Sequence, residues 1–250
     1  IKALKGAGAI AGKYYPEGVT TNAEDGIRGT RELYPILEHL EAEDLVLCIH
    51  GETPDAPVLD RERAFLPQLE EMADRFPRLR MVFEHVSSAE AVDLVDRLPS
   101  TVAATVTAHH MLFTLEDMMA SGLDPHLYCK PLVKTEADRA AIERVVLEGH
   151  PKFFFGSDSA PHPVEAKTGP RAAAGVYSAP VAFAMLIEFF ESREALDRLE
   201  SFTSCFGAEF YRIERNSGVV EWRRAAWEVP ATLDGVVPLM AGKTVAWQRK

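Results

Sequence analysis

Five short apolar runs in this chain each end in a cluster of polar residues able to ligate a metal or move a proton, and that repeat limits the possible folds more than any other feature. The runs fall at residues 9–14, 45–49, 81–84, 102–107 and 152–156. The first ends in Lys13-Tyr14-Tyr15-Pro16, the second in His50-Gly51-Glu52 and the third in Glu84-His85. The fourth ends in Thr107-Ala108-His109-His110 and the fifth in Ser157-Asp158-Ser159-Ala160-Pro161-His162. Amphipathic stretches separate them, at 29–41, 60–76, 89–98, 115–121 and 135–148. In the second stretch Phe65, Leu69, Met72, Ala73 and Phe76 recur at three- and four-residue spacing, one apolar face of a helix. Strands alternating with helices predict βα units and a parallel sheet. In a parallel α/β barrel the carboxyl ends of successive strands converge on one face, where such enzymes do their chemistry.

Beyond these units the pattern predicts helices at 179–190 and 193–199, followed by strand-like pieces at 218–222 and 243–248. The Pro and Gly residues between Pro161 and Gly175 predict a long irregular loop, and such loops inside compact domains tend to be functional. No internal repeat or Gly/Ser-rich linker divides the chain, so residues 1–250 read as one domain. At 47% hydrophobic residues the chain can bury one large core. Its net charge of −11 argues against a nucleic-acid or anionic-membrane partner, since both need basic patches; the plain reading of the acidity is solubility. Cys48, Cys129 and Cys205 form no CxxC pair and read as buried thiols of a reducing compartment. No apolar run approaches the roughly 18–20 residues of a membrane span, and no signal peptide opens the chain. The expected location is cytoplasmic. The opening IKALKGAGA reads as the end of a helix with nothing before it, which suggests a trimmed chain.

Taken singly, each strand-end residue has an ordinary explanation. A lone His after a strand is more often a hydrogen-bonded structural residue than a ligand, and a lone Lys is usually a solvated charge. A lone Asp before Ser-Ala-Pro is commonly a turn or cap residue. The functional reading rests on all of them facing one mouth. Imidazole and carboxylate suit Zn²⁺, and a catalytic site must keep a position open for water. Lys13 is the informative member, because an ammonium beside a dication is repelled. Reaction with CO₂ to a carbamate reverses its charge and gives a two-oxygen group able to bridge two metals.

The ordered series Lys-x-Tyr-Pro, Thr-Thr-Asn, His-Gly-Glu, Phe-Glu-His, Thr-x-x-His, Pro-His-Leu-Tyr-Cys and Gly-Ser-Asp-Ser-Ala-Pro-His resembles the class II dihydroorotases of the amidohydrolase superfamily. The match runs from Lys13 to the tail at Val237-Pro238 and Gly242-Lys243-Thr244-Val245. The resemblance implies a metal-dependent (β/α)8 TIM-type barrel with two Zn²⁺ per chain, bridged by N6-carboxylated Lys13. It implies that His50 and His85 ligate the second zinc and Asp158 the first, with Asp158 also the general acid/base. His162 would meet the substrate carboxylate. Thr20 and Thr21 would lie in a loop closing over the substrate, and Lys130, Ala174 and Gly175 would contact it through their backbones. His110 matches a strand-end histidine of the family, for which a structural role is favoured. His39, His109, His126 and His150 receive no function and read as surface or capping residues. The implied reaction is the reversible cyclisation of N-carbamoyl-L-aspartate to dihydroorotate in UMP biosynthesis.

The family opens its barrel with a His-x-His, and with an Arg and an Asn that help hold the substrate. No His-x-His occurs here. The first run then reads as barrel strand four, leaving three units, about 90 residues, outside the chain, which would hold strands four to eight plus C-terminal helices and tail. By itself such a piece is expected to be inactive. The rivals are another cyclic-amide hydrolase, hydantoinase- or allantoinase-like, and a non-catalytic scaffold that kept the barrel and lost its metals. The expected partner is a small-molecule substrate. A homodimer is compatible with the sequence, which does not fix oligomeric state.

Overall fold

Val46–Ile49 reads Val-Leu-Cys-Ile, four buried apolar residues in a row, the pattern of a strand covered on both faces. It is one of five strands in a computed structural model that describes residues 1–19, 26, 27 and 29–250. In chain order the elements are α1 (Lys2–Gly6), β1 (Ala11–Tyr14), α2 (Tyr34–Ala42), β2 (Val46–Ile49), α3 (Arg61–Arg75), β3 (Met81–Phe83) and α4 (Ala89–Arg97). There follow β4 (Val102–Val106), α5 (Ala108–Leu112), α6 (Leu115–Met119), α7 (Glu136–Glu148), β5 (Phe153–Phe155), α8 (Val164–Thr168), α9 (Ala182–Ser192), α10 (Phe206–Tyr211), β6 (Trp222–Glu228) and β7 (Thr244–Arg249). Strands β1 to β5 form one parallel sheet in sequential order. Sequential order is that of a β/α barrel; a doubly wound sheet would reverse direction partway.

Alternation along the strands sorts the core into two layers. Leu47, Ile49, Met81, Phe83, Val102, Ala104, Val106 and Phe153 face the helices and pack with Phe65, Leu69 and Met72 of α3. Val46, Cys48, Val82, Ala103 and Phe154 face the other way, against Phe206, Phe210 and Tyr211. Helix ends follow their sequence signals. Ser88 Oγ caps α4 by accepting from the Ala91 N–H, Thr135 and Asp138 make a capping box on α7, and Gly149 ends α7 in the left-handed conformation. The antiparallel pair β6–β7 leans on α9, where Trp247 Nε1 donates to Glu191 Oε2 at 3.2 Å.

Several expectations need correction. The helix expected at 193–199 is only a 3-10 turn at Leu196–Arg198. The strand expected at 218–222 starts at Trp222, because pairing begins only where Trp222 meets Arg249; Val219, before it, is 89% exposed. The irregular segment 161–175 contains α8. Cys48 and Cys129 are buried as expected, but Cys205 is only partly so. Among the described residues no helix is long and apolar enough to cross a membrane.

Candidate metal centre

Register decides which side chains enter the mouth of the sheet. Lys13 pairs with Cys48, Cys48 with Val82, and Val82 with Ala103, so these residues share the face opposite α3. Counting by two from Cys48 and Val82 brings His50 and Glu84 onto the same face just past the strand ends. Lys13 Nζ accordingly contacts the Glu84 carboxylate. His85 is out of phase, yet its ring lies 4.6 Å from that of His50, edge to face. A left-handed backbone at His85, φ 47°, accompanies this reorientation, and Asp158 has φ 39°. Such conformations are uncommon for residues other than glycine and cluster at functional sites.

The two histidines each offer a ring nitrogen to a ligand. His50 Nε2 lies 2.7 Å from Glu52 Oε2, with both side chains 3% exposed. A carboxylate at Nε2 keeps the proton there and leaves Nδ1 for a metal. His85 donates its backbone N–H to Thr105 Oγ1 at 2.7 Å, while its buried Nδ1 has no hydrogen-bond partner. Burial, then the nearby His50 and Lys13, hold the His85 imidazole well below its ordinary pKa, so it is uncharged at neutral pH. The segment after His85 is pinned from below. The Ser87 N–H donates to Glu62 Oε1 at 2.9 Å, and Lys134 Nζ donates to Glu62 Oε2 at 3.0 Å, all three side chains being buried.

Lys13 and Asp158 complete the mouth. Burial pulls the Lys13 ammonium below its usual pKa, against the opposing pull of Cys48 and Asp158. Burial pushes the Asp158 carboxyl up, opposed by Lys13 and His50. Both residues still reach solvent, as groups at an open mouth do. Lys13 and His50 thus each sit within electrostatic range of both His85 and Asp158. This donor set fits a metal: imidazole and carboxylate ligands with one buried, partnerless imidazole nitrogen, beside a lysine whose ammonium form burial disfavours.

Beside the mouth, His162 Nε2 donates to the Ala174 carbonyl at 3.0 Å, which orients the ring and leaves Nδ1 for a ligand. Gly175 has φ 151°, and a Cβ there would sit 2.7 Å from Ala160 Cβ and 2.9 Å from His162 Cδ2. Only glycine allows strand-end loop and return segment to approach so closely. Lys130 precedes Pro131 through a cis peptide bond and is half-buried. Its side chain is held below its usual pKa by burial. Thr20 and Thr21 lie outside the described residues.

One other group deserves comparison as a metal site. His109, His110 and Cys129 are the only three His, Cys or carboxylate residues among those described whose ligand atoms all lie within 4.8 Å of one another. His110, however, is already satisfied, with Nδ1 2.8 Å from Thr107 Oγ1 and Nε2 2.9 Å from the Pro131 carbonyl. Burial pushes the Cys129 thiol up to about 12, so it is protonated. A metal would have to break the first arrangement and deprotonate the second. His110 is a structural clasp, as the sequence favoured. His109 corrects the expectation of a surface or capping residue, being fully buried with neither ring nitrogen hydrogen-bonded. Its burial comes from α5, a helix the apolar periodicity did not reveal.

Sequence reasoning noted Glu52 without giving it a role and missed Glu62, although Glu62 stands three residues before Phe65 on the apolar face of α3, where a carboxylate is out of place. The Amidohydrolase family profile matches residues 2–176. The dihydroorotase of Coxiella burnetii is 43% identical over 258 residues, covering 100% of this chain and 74% of that protein. The crystal structure of dihydroorotase from Saccharomyces cerevisiae in complex with 5-fluoroorotic acid superposes with a TM-score of 0.91 at 34% identity, over 100% of this chain and 75% of that one. L-hydantoinase (dihydropyrimidinase) from Arthrobacter aurescens gives a TM-score of 0.83 at 18% identity, over 99% and 64% of the two chains, a likeness of fold alone.

Proposed function

The chain belongs to the dihydroorotases of the amidohydrolase family, whose fold is the TIM-type barrel, and from that premise we propose how its residues serve the hydrolysis of a cyclic amide. The observation that carries the proposal is the convergence of Lys13, His50, His85 and Asp158 at one strand-end mouth, with Glu52 directing His50. In this reading two Zn²⁺ bind per chain. His50 and His85 would hold one and Asp158 the other, with Lys13, carboxylated on Nζ, serving both. When bound, the metal pair activates water, whose pKa falls from ~16 to about 7, and polarises the ring amide carbonyl.

The chain's own groups do the rest. The free amine of Lys13 adds CO₂ and releases a proton, which exchanges a cation for an anionic two-oxygen ligand. Asp158 takes the proton of the attacking water on a carboxylate oxygen and delivers it to the ring nitrogen as the C–N bond breaks. His162, oriented by the Ala174 carbonyl, meets the substrate carboxylate, while the backbones of Lys130, Ala174 and Gly175 line its other side. Run in reverse, the same groups close N-carbamoyl-L-aspartate to dihydroorotate, the ring-forming step of pyrimidine synthesis, in the cytoplasm. No observation favours the hydantoinase reading, whose likeness is one of fold. A scaffold would have no reason to keep Lys13, His50, His85 and Asp158 together at one mouth.

Asp158→Asn in the full-length protein tests the assignment. An amide keeps the shape and one oxygen but accepts no proton at neutral pH, so dihydroorotate turnover should fall by at least ~10²- to 10⁴-fold. Two zincs retained with turnover within about tenfold of the parent would remove Asp158 from proton transfer.

A further inference from the structure

Lys167 is 2% exposed, although it lies on the five-residue helix α8 in a segment otherwise open to solvent. Its ammonium makes no ion pair with a carboxylate among the described residues. Instead Nζ donates to the carbonyls of Tyr128 at 2.9 Å, Ala173 at 2.9 Å and Gly175 at 2.7 Å. An ammonium has three N–H donors and no acceptor, and here all three are used on backbone oxygens. Burial pulls it down to about 8, partly opposed by Cys129 and Asp124, so it remains mostly charged at neutral pH. Burying an ammonium without a counter-ion is costly, and a methionine would fill the same space without that cost.

The three carbonyls come from two separate segments, residues 128 and 173–175. Each segment holds, or adjoins, backbone assigned above to substrate contact at Lys130, Ala174 and Gly175. Along the second segment the peptide oxygens alternate. Ala173 and Gly175 turn theirs to Lys167, and Ala174 turns its oxygen to His162 Nε2. The Gly175 N–H meanwhile donates to the Tyr128 carbonyl at 2.9 Å, the same oxygen that Lys167 holds. The Lys167 ammonium is therefore the common point at which both segments are tied, and the orientation of Ala174 and His162 follows from it.

We propose that Lys167 is a positioning residue for substrate binding: its three hydrogen bonds hold the 173–175 strip against residue 128 so that His162 and the adjoining backbone present one rigid recess to the substrate carboxylate. It touches neither substrate nor metal ligand. The proposal rests on the dihydroorotase reading of the site.

The test uses the full-length enzyme, with zinc content, kcat and KM for dihydroorotate measured on the same samples of the parent and Lys167→Met. With binding geometry lost and the metal layer intact, KM should rise at least ~10-fold, with kcat within about threefold and both zincs retained. An unchanged KM, a fall confined to kcat, or loss of zinc would overturn the proposal. If Lys167→Met does not fold, Lys167→Gln, which keeps two of the three donors, carries the same test, with KM expected to rise at least ~3-fold at unchanged metal content. Failure of the parent to turn over dihydroorotate would instead defeat the underlying functional reading, so the two outcomes are distinguishable.

Discussion

His50 directs Nε2 at Glu52 Oε2 across 2.7 Å in a setting where both side chains are 3% exposed, so a buried carboxylate chooses which imidazole nitrogen is left for a metal. Partners of this kind typically contribute 10- to 100-fold to metal affinity. Glu52→Ala should therefore weaken zinc binding by ~10–100-fold in a chelator competition, and Glu52→Gln by less, because an amide oxygen still accepts from Nε2–H. Parent-like affinity in both variants would mean that Glu52 only fills space.

Gly175 separates the return segment from Ala160 and His162 by less than a methyl group allows. Gly175→Ala should push His162 out of line and raise KM for dihydroorotate by roughly tenfold, with zinc content unchanged. Steady-state kinetics beside metal analysis check this. A parent-like KM would show that the loop yields at no cost to binding.

The strand ends were legible because two local rules act together. Alternation fixes that His50 and Glu84 share a face with Lys13, and a parallel sheet brings all strand carboxyl ends to one edge. His85 obeys the second rule and breaks the first, through its left-handed backbone, and nothing in a sequence of apolar runs announces that turn. Lys167 was illegible for a different reason. Its partners are backbone oxygens up to 39 residues away, supplied by loops whose docking depends on the finished fold. The burial of His109 likewise depends on a one-turn helix too short to leave a periodic trace.

Two histidines outside the metal layer set an acid dependence. Burial holds His110 at about 4 and His109 well below its ordinary value, each against 6.5 in the unfolded chain. Between those values the unfolded chain binds protons that the folded chain refuses. Stability from each is thus full above pH 6.5 and is lost as the pH falls, by roughly 3 kcal/mol at pH 4 for His110. His109 has no hydrogen bond to lose, so His109→Leu should stabilise the fold by up to ~1 kcal/mol at pH 7. At pH 5 the gain should be larger still, because the variant also removes one acid-sensitive group. Urea unfolding at the two pH values decides it, and an equal gain at both, or a loss, would refute the burial-driven shift of His109.

The most direct measurement is zinc content and dihydroorotate turnover of Lys13→Ala beside the parent, both as full-length protein. A carboxylated Lys13 that bridges two ions predicts two zincs per chain in the parent, loss of the pair in the variant, and turnover lost with it. Short carboxylates supplied in the buffer should restore a part of both, since they can stand in for the bridging oxygens. Two zincs retained in Lys13→Ala would contradict the lysine-bridged centre.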